Sequence, residues 1–112
     1  MKLATWNVNS LKVRLGQLLD WMAAGAPDVI CLQETKLDDP KFPVADIEAA
    51  GYQVVFSGQK TYNGVAIVSR LAATDVVRAI PGFVDEQKRV IAATISNVRI
   101  VNAYVPNAFR KM

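Results

Sequence analysis

The sequence contains no histidine and only one cysteine, Cys31, among its 112 residues. Without histidine, the chain by itself cannot form a histidine-based catalytic triad, bind zinc through imidazole or use imidazole as a general acid or base. A single cysteine cannot form an internal disulfide and is typical of proteins of a reducing cytoplasm. These two absences exclude several large classes of enzyme and predict a cytoplasmic location.

Long hydrophobic runs and blocks of basic residues are also missing. No apolar run approaches the roughly 18 residues of a membrane span, and the first residues reach Asn7 too soon for a signal peptide. We therefore expect no membrane association. The 13 lysines and arginines exceed the 10 acidic residues and give a net charge of +3, which permits a polyanionic partner without indicating one.

The N-terminal third predicts a strand–helix–strand unit. A short strand over residues 2–8 is followed by a plausible N-cap, Ser10, and by leucines at helical spacing up to residue 22. A buried strand then covers residues 29–32. Because such crossovers are right-handed, both strands point the same way and their carboxyl ends share one edge of the sheet. The side chains of Asn7 and Glu34 should therefore lie about 5–10 Å apart at that edge.

The remainder predicts a short helix over residues 44–50 and a set of antiparallel strands. These strands are expected at residues 52–57, 64–70, 75–80, 89–96 and 99–105. Seven strands and two helices make a mixed α/β sheet with helices on one face. Because residues 65–68 and 90–93 are apolar in both alternating positions, both sheet faces need a cover, and two helices cover only one. We expect the other face to be exposed and to bind a missing partner segment or a second copy of the chain.

The residues that follow the first two strands suggest a metal site, with a structural alternative. Glu34 supplies a hard carboxylate oxygen beside the Asn7 carboxamide, and Mg²⁺ commonly takes one or two protein carboxylates. Glu34 could instead pair with Lys36 or cap a turn, and Asn9 with Ser10 could form a helix-capping turn. Lys12, in the first helical turn, is placed to receive a phosphodiester backbone or simply to face solvent.

Two later segments suggest contacts with nucleic acid, again with structural alternatives. Lys60 and Tyr62 form a basic and aromatic loop, although hairpin chemistry explains the Asn63-Gly64 pair that follows. Tyr104, at the end of the last strand, either donates a hydrogen bond to a phosphate oxygen or fills the core. Cys31 lies between apolar neighbours and is expected to be a buried, inert thiol.

Four segments resemble the exonuclease III family of abasic-site endonucleases, in the order of that family and over residues 1 to about 107. They are Leu3–Lys12 (LATWNVNSLK), Leu32–Lys36 (LQETK), Tyr62–Arg70 (YNGVAIVSR) and Asn102–Asn107 (NAYVPN). The resemblance implies half of a four-layer α/β-sandwich. It also implies hydrolysis of a DNA phosphodiester 5′ to an abasic site or from a 3′ end, with Mg²⁺ or, as a substitute, Mn²⁺.

The resemblance also implies roles for individual residues. Glu34 matches the metal ligand, and Asn7 matches a member of the metal and hydrogen-bond network. Tyr104 matches the residue that contacts the scissile phosphate, and Asn107 matches a contact on the phosphate side. Contacts with double-stranded DNA are expected from Asn9, Lys12, Lys60 and Tyr62, of which Asn9 matches a polar position beside the metal.

The chain also departs from the family pattern. Family members are more than twice as long, and their second half carries an Asp-x-Asn, a further acidic residue and an Asp-His pair. The family's Tyr-x-Pro-Asn is normally followed by glycine, which is absent here. We therefore expect residues 1–112 to form one partial domain that lacks the C-terminal half, binds Mg²⁺ weakly and has little or no nuclease activity alone. The alternative is a non-catalytic nucleic-acid-binding or homodimeric module derived from the same fold.

Overall fold

The structure is a computed structural model that describes residues 1–25, 27–58, 63–79 and 88–105. Within these ranges the chain forms seven strands, two α-helices and one short 3₁₀ helix, Asp39–Lys41. The strands and helices are, in chain order, β1 (Leu3–Asn7), α1 (Leu11–Ala23), β2 (Val29–Gln33), α2 (Val44–Ala49), β3 (Gln53–Ser57), β4 (Val65–Ser69), β5 (Thr74–Val77), β6 (Val90–Ile95) and β7 (Val98–Ala103). Neither helix is long and apolar enough to cross a membrane.

The first sheet has four strands in the order β1-β2-β4-β3. Strands β1 and β2 are parallel and in register from Leu3 opposite Val29 to Asn7 opposite Gln33, whereas β2 with β4 and β3 with β4 are antiparallel. The parallel pair joined by α1 confirms the predicted strand–helix–strand unit. The carboxyl ends of β1 and β2 therefore lie side by side at one edge of this sheet.

Helix α1 begins where its backbone is held by the loop after β2. Ser10 occupies the N-cap position, as predicted, but its side chain makes no capping hydrogen bond. Instead the Ser10 and Leu11 N–H groups donate to the carbonyl oxygens of Glu34 (2.8 Å) and Thr35 (3.0 Å). The helix start and the segment that carries Glu34 are thereby fixed to each other.

The second sheet has three antiparallel strands in the order β5-β6-β7 and packs on the first. A continuous apolar cluster joins the two sheets: Val29, Cys31, Val65 and Ile67 from the first, and Ile91, Ala93, Ile95 and Ile100 from the second. The expectation that this face of β2 and β4 is uncovered was therefore wrong. A strand that is apolar at every position indicates that both of its faces are covered, but the pattern does not show which strands form the covering sheet.

The two helices pack on the opposite face of the first sheet. Leu11, Leu18 and Met22 of α1 and Ile47 of α2 share a core cluster with Ile30 and Leu32 of β2. The layers are thus helices, first sheet and second sheet, which confirms a mixed α/β fold with helices on one face. The outer face of the second sheet carries Val101, which is 64% accessible, and Val105, two residues after β7, is 82% accessible.

Candidate metal and phosphate site

Asn7 and Glu34 meet at the shared edge of β1 and β2. The Asn7 side-chain amide nitrogen donates a hydrogen bond of 2.5 Å to Glu34 Oε2, across 27 positions of sequence. The contact follows from the parallel register, which places Asn7 opposite Gln33, the residue before Glu34. The predicted proximity of the two side chains is therefore confirmed.

The loops around this contact contain most of the positive φ angles of the described backbone outside the turns. They occur at Asn9 (44°), Ser10 (89°), Glu34 (55°), Lys36 (58°), Asn63 (55°) and Gly64 (92°). Left-handed backbone is costly for residues with a side chain and persists where surrounding contacts impose it. Here the imposing contacts are backbone hydrogen bonds from Thr35 N–H to Gly64 O (3.2 Å) and from Lys36 N–H to Asn63 O (3.0 Å). With the bonds from the start of α1 to Glu34 and Thr35, these contacts join the loops after β1, after β2 and before β4 around the Glu34 carboxylate.

Lys36 and Asn9 complete a network of four polar side chains. Lys36 Nζ donates to Asn9 Oδ1 at 2.6 Å and lies 3.6 Å from Glu34 Oε1. The Asn9 N–H donates in turn to Asn7 Oδ1 at 3.1 Å. From the sequence, Lys36 is predicted only as an alternative partner of Glu34. Its position two residues after Glu34 in a bent loop is the signal that identifies it as a member of the same site.

The oxygens present at this edge fit a partial site for a hard divalent cation. Glu34 offers a carboxylate and Asn7 an amide oxygen, and Mg²⁺ fills the rest of its coordination sphere with water and substrate phosphate. Within the described ranges, no three residues among histidine, cysteine, aspartate and glutamate cluster closely enough to hold a metal ion. The oxygen donors of Asn7 and Glu34 would therefore leave most of a cation's coordination sphere to water or substrate.

Tyr104 lies across a groove from Asn7. The groove, of about 760 Å³, runs between the edge strands β1 and β7, and its lining includes Asn7, Gln33 and Tyr104. Tyr104 is half-buried, packs against the apolar cluster between the sheets and donates its backbone N–H to Arg89 O at 2.7 Å. The two interpretations of Tyr104 are thus compatible, since its ring contacts the core and it also lines the groove.

Of the other predicted site residues, one is an exposed lysine and three lie outside the described residues. Lys12 is exposed in the first turn of α1, where no acidic residue is present, and it lines a shallow depression together with Lys41. Lys60, Tyr62 and Asn107 lie outside the described residues.

Cys31, in the middle of β2, and Asp28, just before it, have shifted pKa values for local reasons. Burial raises the pKa of the Cys31 thiol from 9.0 to about 11, which confirms a buried thiol that stays protonated at neutral pH. The backbone N–H of Lys2 donates to the Asp28 carboxylate at 2.7 Å and lowers the pKa of that carboxyl. Because Asp28 precedes β2, it lies at the opposite end of the strand from Glu34.

A buried polar network lies directly under the site. The Asn102 amide nitrogen donates to the carbonyl oxygens of Leu32 (2.9 Å) and Ala66 (2.8 Å). Gln33 Nε2 donates to Asn102 Oδ1 and to Thr5 Oγ1, both at 2.8 Å. The sequence analysis placed Gln33 and Asn102 inside its motifs but gave neither a role.

The chain belongs to the endonuclease/exonuclease/phosphatase family, whose sequence profile matches residues 4–109. Within this family of hydrolases, its similarity is to exonuclease III and AP endonucleases, and it corresponds to their N-terminal part. Over 111 residues it is 36% identical to exodeoxyribonuclease III of Haemophilus influenzae, a match that covers 95% of this chain and 42% of the relative.

Two solved structures share the fold closely. The Neisseria 3′ phosphatase NExo, solved with a product DNA hairpin, superposes with a TM-score of 0.90 at 55% identity, covering 93% of this chain and 41% of that one. An AP endonuclease from Archaeoglobus fulgidus gives a TM-score of 0.90 at 43% identity, covering 95% of this chain and 41% of that one. The chain therefore spans less than half the length of the relatives that it matches.

Proposed function

We propose that this chain is the N-terminal part of a Mg²⁺-dependent DNA-repair phosphodiesterase with abasic-site endonuclease and 3′–5′ exonuclease activity. The observation that carries the proposal is the contact between Asn7 and Glu34 at 2.5 Å on the carboxyl edge of the first sheet. It places a carboxylate beside a side-chain amide where open α/β folds bind their ligands. The DNA hairpin bound to the Neisseria relative supports DNA as the substrate class.

In this proposal each residue of the site has a distinct task. Glu34 supplies the anionic oxygen that holds Mg²⁺, and Asn7 orients the Glu34 carboxylate through its side-chain amide. Tyr104 positions the phosphate from the other side of the groove. Mg²⁺ held by Glu34 would supply polarisation of the phosphate and stabilisation of charge on the leaving oxygen. The base for the attacking water is supplied by a part of the enzyme that this chain does not contain.

Double-stranded DNA is the proposed partner, and its backbone is proposed to lie over the start of α1. Asn9 and Lys12 are adjacent to the Glu34 loop, and we assign Lys60, Tyr62 and Asn107 to the same contact by the family resemblance. The exposed ammonium of Lys12, with Lys41 beside it, supplies positive charge for a phosphate backbone. The proposed location of the protein is the cytoplasm.

The metal site is tested by titrating the ¹⁵N-labelled chain with Mn²⁺ and following paramagnetic broadening of the Asn7 side-chain amide signal. Glu34→Gln should weaken Mn²⁺ binding about tenfold or more because it removes the anionic ligand. Glu48→Gln is the matched control, since Glu48 is an exposed carboxylate on α2 outside the site. Equal Mn²⁺ affinity in the two variants would contradict the proposed ligand.

The proposed DNA contact is tested by measuring binding to duplex DNA with an abasic-site analogue at several salt concentrations. Lys12→Gln should weaken binding and lower the salt slope by about one, as expected for one lost phosphate contact. Lys2→Gln is the control, because Lys2 precedes β1 at the opposite end of the sheet. A loss of affinity that is the same for both variants would refute a specific role for Lys12.

The catalytic competence of the isolated chain is a separate question. In an Mg²⁺-dependent nicking assay on abasic-site plasmid, we expect little or no turnover from the 112-residue chain. Restoration of nicking on co-expression with the C-terminal half of a full-length relative would support the proposed partial domain. Turnover by the chain alone that is comparable with a complete relative would contradict it.

A second candidate function, a non-catalytic nucleic-acid-binding or homodimeric module, is favoured by the second sheet. Val101 on β7 is 64% accessible and Val105 after it is 82% accessible, and β1 and β7 are outermost strands of their sheets in the part of the chain that the structure describes. Such edges invite pairing with another chain. A monodisperse dimer in size-exclusion chromatography with light scattering would favour the module, whereas aggregation or a monomer that recruits the C-terminal half favours the partial enzyme.

A further inference from the structure

The interior between the two sheets is largely apolar and contains a polar network built on Gln33 and Asn102. Gln33 and Asn102 are 9% and 2% accessible and adjoin the cluster of aliphatic side chains that joins the sheets. The Asn102 side-chain amide donates hydrogen bonds to Leu32 O and Ala66 O. The Gln33 side-chain amide donates to Thr5 Oγ1 and Asn102 Oδ1. A buried polar network stabilises the fold only when its polar groups have hydrogen-bond partners. Here each of the four side-chain amide hydrogens has one.

The network crosses from one sheet to the other and links four strands. Asn102 lies on β7 of the second sheet, and its acceptors Leu32 and Ala66 are register partners on β2 and β4 of the first. Gln33 continues the network from β2 to Thr5 on the edge strand β1. Apolar contacts between sheets are non-directional, whereas the hydrogen bonds of Asn102 are directional and help to fix the position of β7 along the first sheet.

Each strand that carries a site residue is held by a member of this network one or two residues away. Thr5 is two residues before Asn7 on the same face of β1, and Gln33 immediately precedes Glu34. Asn102 is two residues before Tyr104, also on the same face of its strand. The three side chains of the proposed site therefore project from points that the network connects.

We propose that Gln33 and Asn102 are positioning residues that hold Tyr104, on one sheet, at a set distance from Asn7 and Glu34 on the other. This inference rests on the proposed function for the meaning of those three residues as a site. Neither Gln33 nor Asn102 touches the phosphate or the metal in this proposal. Their contribution is to prevent the two sheets from sliding, which would open or close the groove between Asn7 and Tyr104.

The test compares two variants of Asn102 with a matched variant on the same face of the same strand. Asn102→Leu replaces the amide by an apolar side chain of similar size and removes every hydrogen bond, and Asn102→Asp removes both donors. Ile100→Val is the control, because Ile100 is 4% accessible in the same cluster but outside the network. Urea unfolding of all three variants separates loss of stability from loss of position.

The decisive readouts are the NMR signals of the Asn7 side-chain amide and of the Tyr104 ring. Both Asn102 variants should shift or broaden these signals and weaken Mn²⁺ binding about tenfold, whereas Ile100→Val should lower stability and leave the signals and the affinity unchanged. Equal effects from Ile100→Val at matched stability loss would overturn the positioning role.

A measurement on the unsubstituted chain keeps the inference testable if the variants do not fold. The side-chain amide hydrogens of Asn102 and Gln33 should exchange with solvent far more slowly than those of Asn97, which is exposed in a turn. Fast exchange would overturn the network. Absence of Mn²⁺ broadening at Asn7 in the same chain would refute the proposed metal site, but the network would still be judged by the exchange rates and by the Asn7 and Tyr104 signals.

Discussion

Replacing Gly64 by alanine tests the close packing beneath the Glu34 loop. A Cβ at Gly64 would lie 2.2 Å from Thr35 Oγ1 and 3.2 Å from the Lys36 nitrogen. Ordinary contact begins at 3.4 Å, so Thr35 would have to retreat by about 1.2 Å. Thr35 is fully buried and its hydroxyl has no hydrogen-bond partner among the described residues. The side chain therefore has no exit to solvent, and the loop itself must move.

Gly64→Ala is expected to lower the free energy of unfolding through backbone strain and through overpacking, and variants at Gly51 and Gly16 distinguish the two contributions. A φ of +92° at Gly64 costs alanine about 1 kcal/mol or slightly more, and overpacking adds about 1–3 kcal/mol. Gly51 has a φ of +87° with open space around it, so Gly51→Ala should show only the first cost. Gly16 lies inside α1 with nothing within 4 Å, so Gly16→Ala should stabilise the protein by about 0.5–1 kcal/mol.

Urea unfolding of the three variants measures these costs directly. Gly64→Ala should lower the free energy of unfolding by about 2–4 kcal/mol, and adding Thr35→Ala should recover part of that loss because Oγ1 is gone. Since Glu34 and Lys36 flank Thr35, Gly64→Ala should also weaken Mn²⁺ binding. If Gly64→Ala costs no more than Gly51→Ala, the tight contact with Thr35 does not exist in solution and the reasoning is refuted.

Three further predictions concern the thiol, the lysine of the site and a turn. Burial raises the pKa of Cys31 from 9.0 to about 11, so the folded state keeps this contribution to its stability below pH 9.0. The free energy of unfolding should then fall by up to about 3 kcal/mol as the pH rises towards 11. Urea midpoints of Cys31→Ala should therefore fall less steeply above pH 9 than those of the unsubstituted chain, and equal slopes would contradict this. Lys36→Met removes the ammonium 3.6 Å from Glu34 and should tighten Mn²⁺ binding up to about fivefold; unchanged affinity would show that the pair is broken in solution. Ser96 and Asn97 have φ angles of 51° and 64° between paired Ile95 and Val98, so Asn97→Gly should raise the free energy of unfolding by about 0.5 kcal/mol, and a decrease would refute the turn assignment.

The local elements could be predicted because their signals are local. The leucines at helical spacing predicted α1 to within two residues, and the apolar run at residues 29–32 predicted β2. The meeting of Asn7 with Glu34 could be predicted as well, because the right-handed crossover leaves two parallel strands only one shared edge for their carboxyl ends.

The second sheet could not be predicted in the same way. The apolar residues 65–68 of β4 and 90–93 of β6 indicated that a cover was needed, but the pattern of β6 is compatible with either sheet. The choice depends on which long-range pairing buries more surface, and that is decided by Ile91, Ala93 and Ile95 packing across onto Cys31 and its neighbours. The face of the first sheet that was predicted to be exposed is therefore covered by β5, β6 and β7 of the same chain.

The sequence by itself determined the family, the parallel β1-α1-β2 unit and the meeting of Asn7 with Glu34 at its edge. Each of these depends on short segments and on one rule of chain handedness. Only the tertiary structure decided that Lys36 and Asn9 join that pair and that Asn102 bridges the two sheets. These contacts join residues that are brought together by left-handed loops and by sheet-on-sheet packing. Such geometry arises from many weak long-range contacts acting together, and no single segment of sequence encodes it.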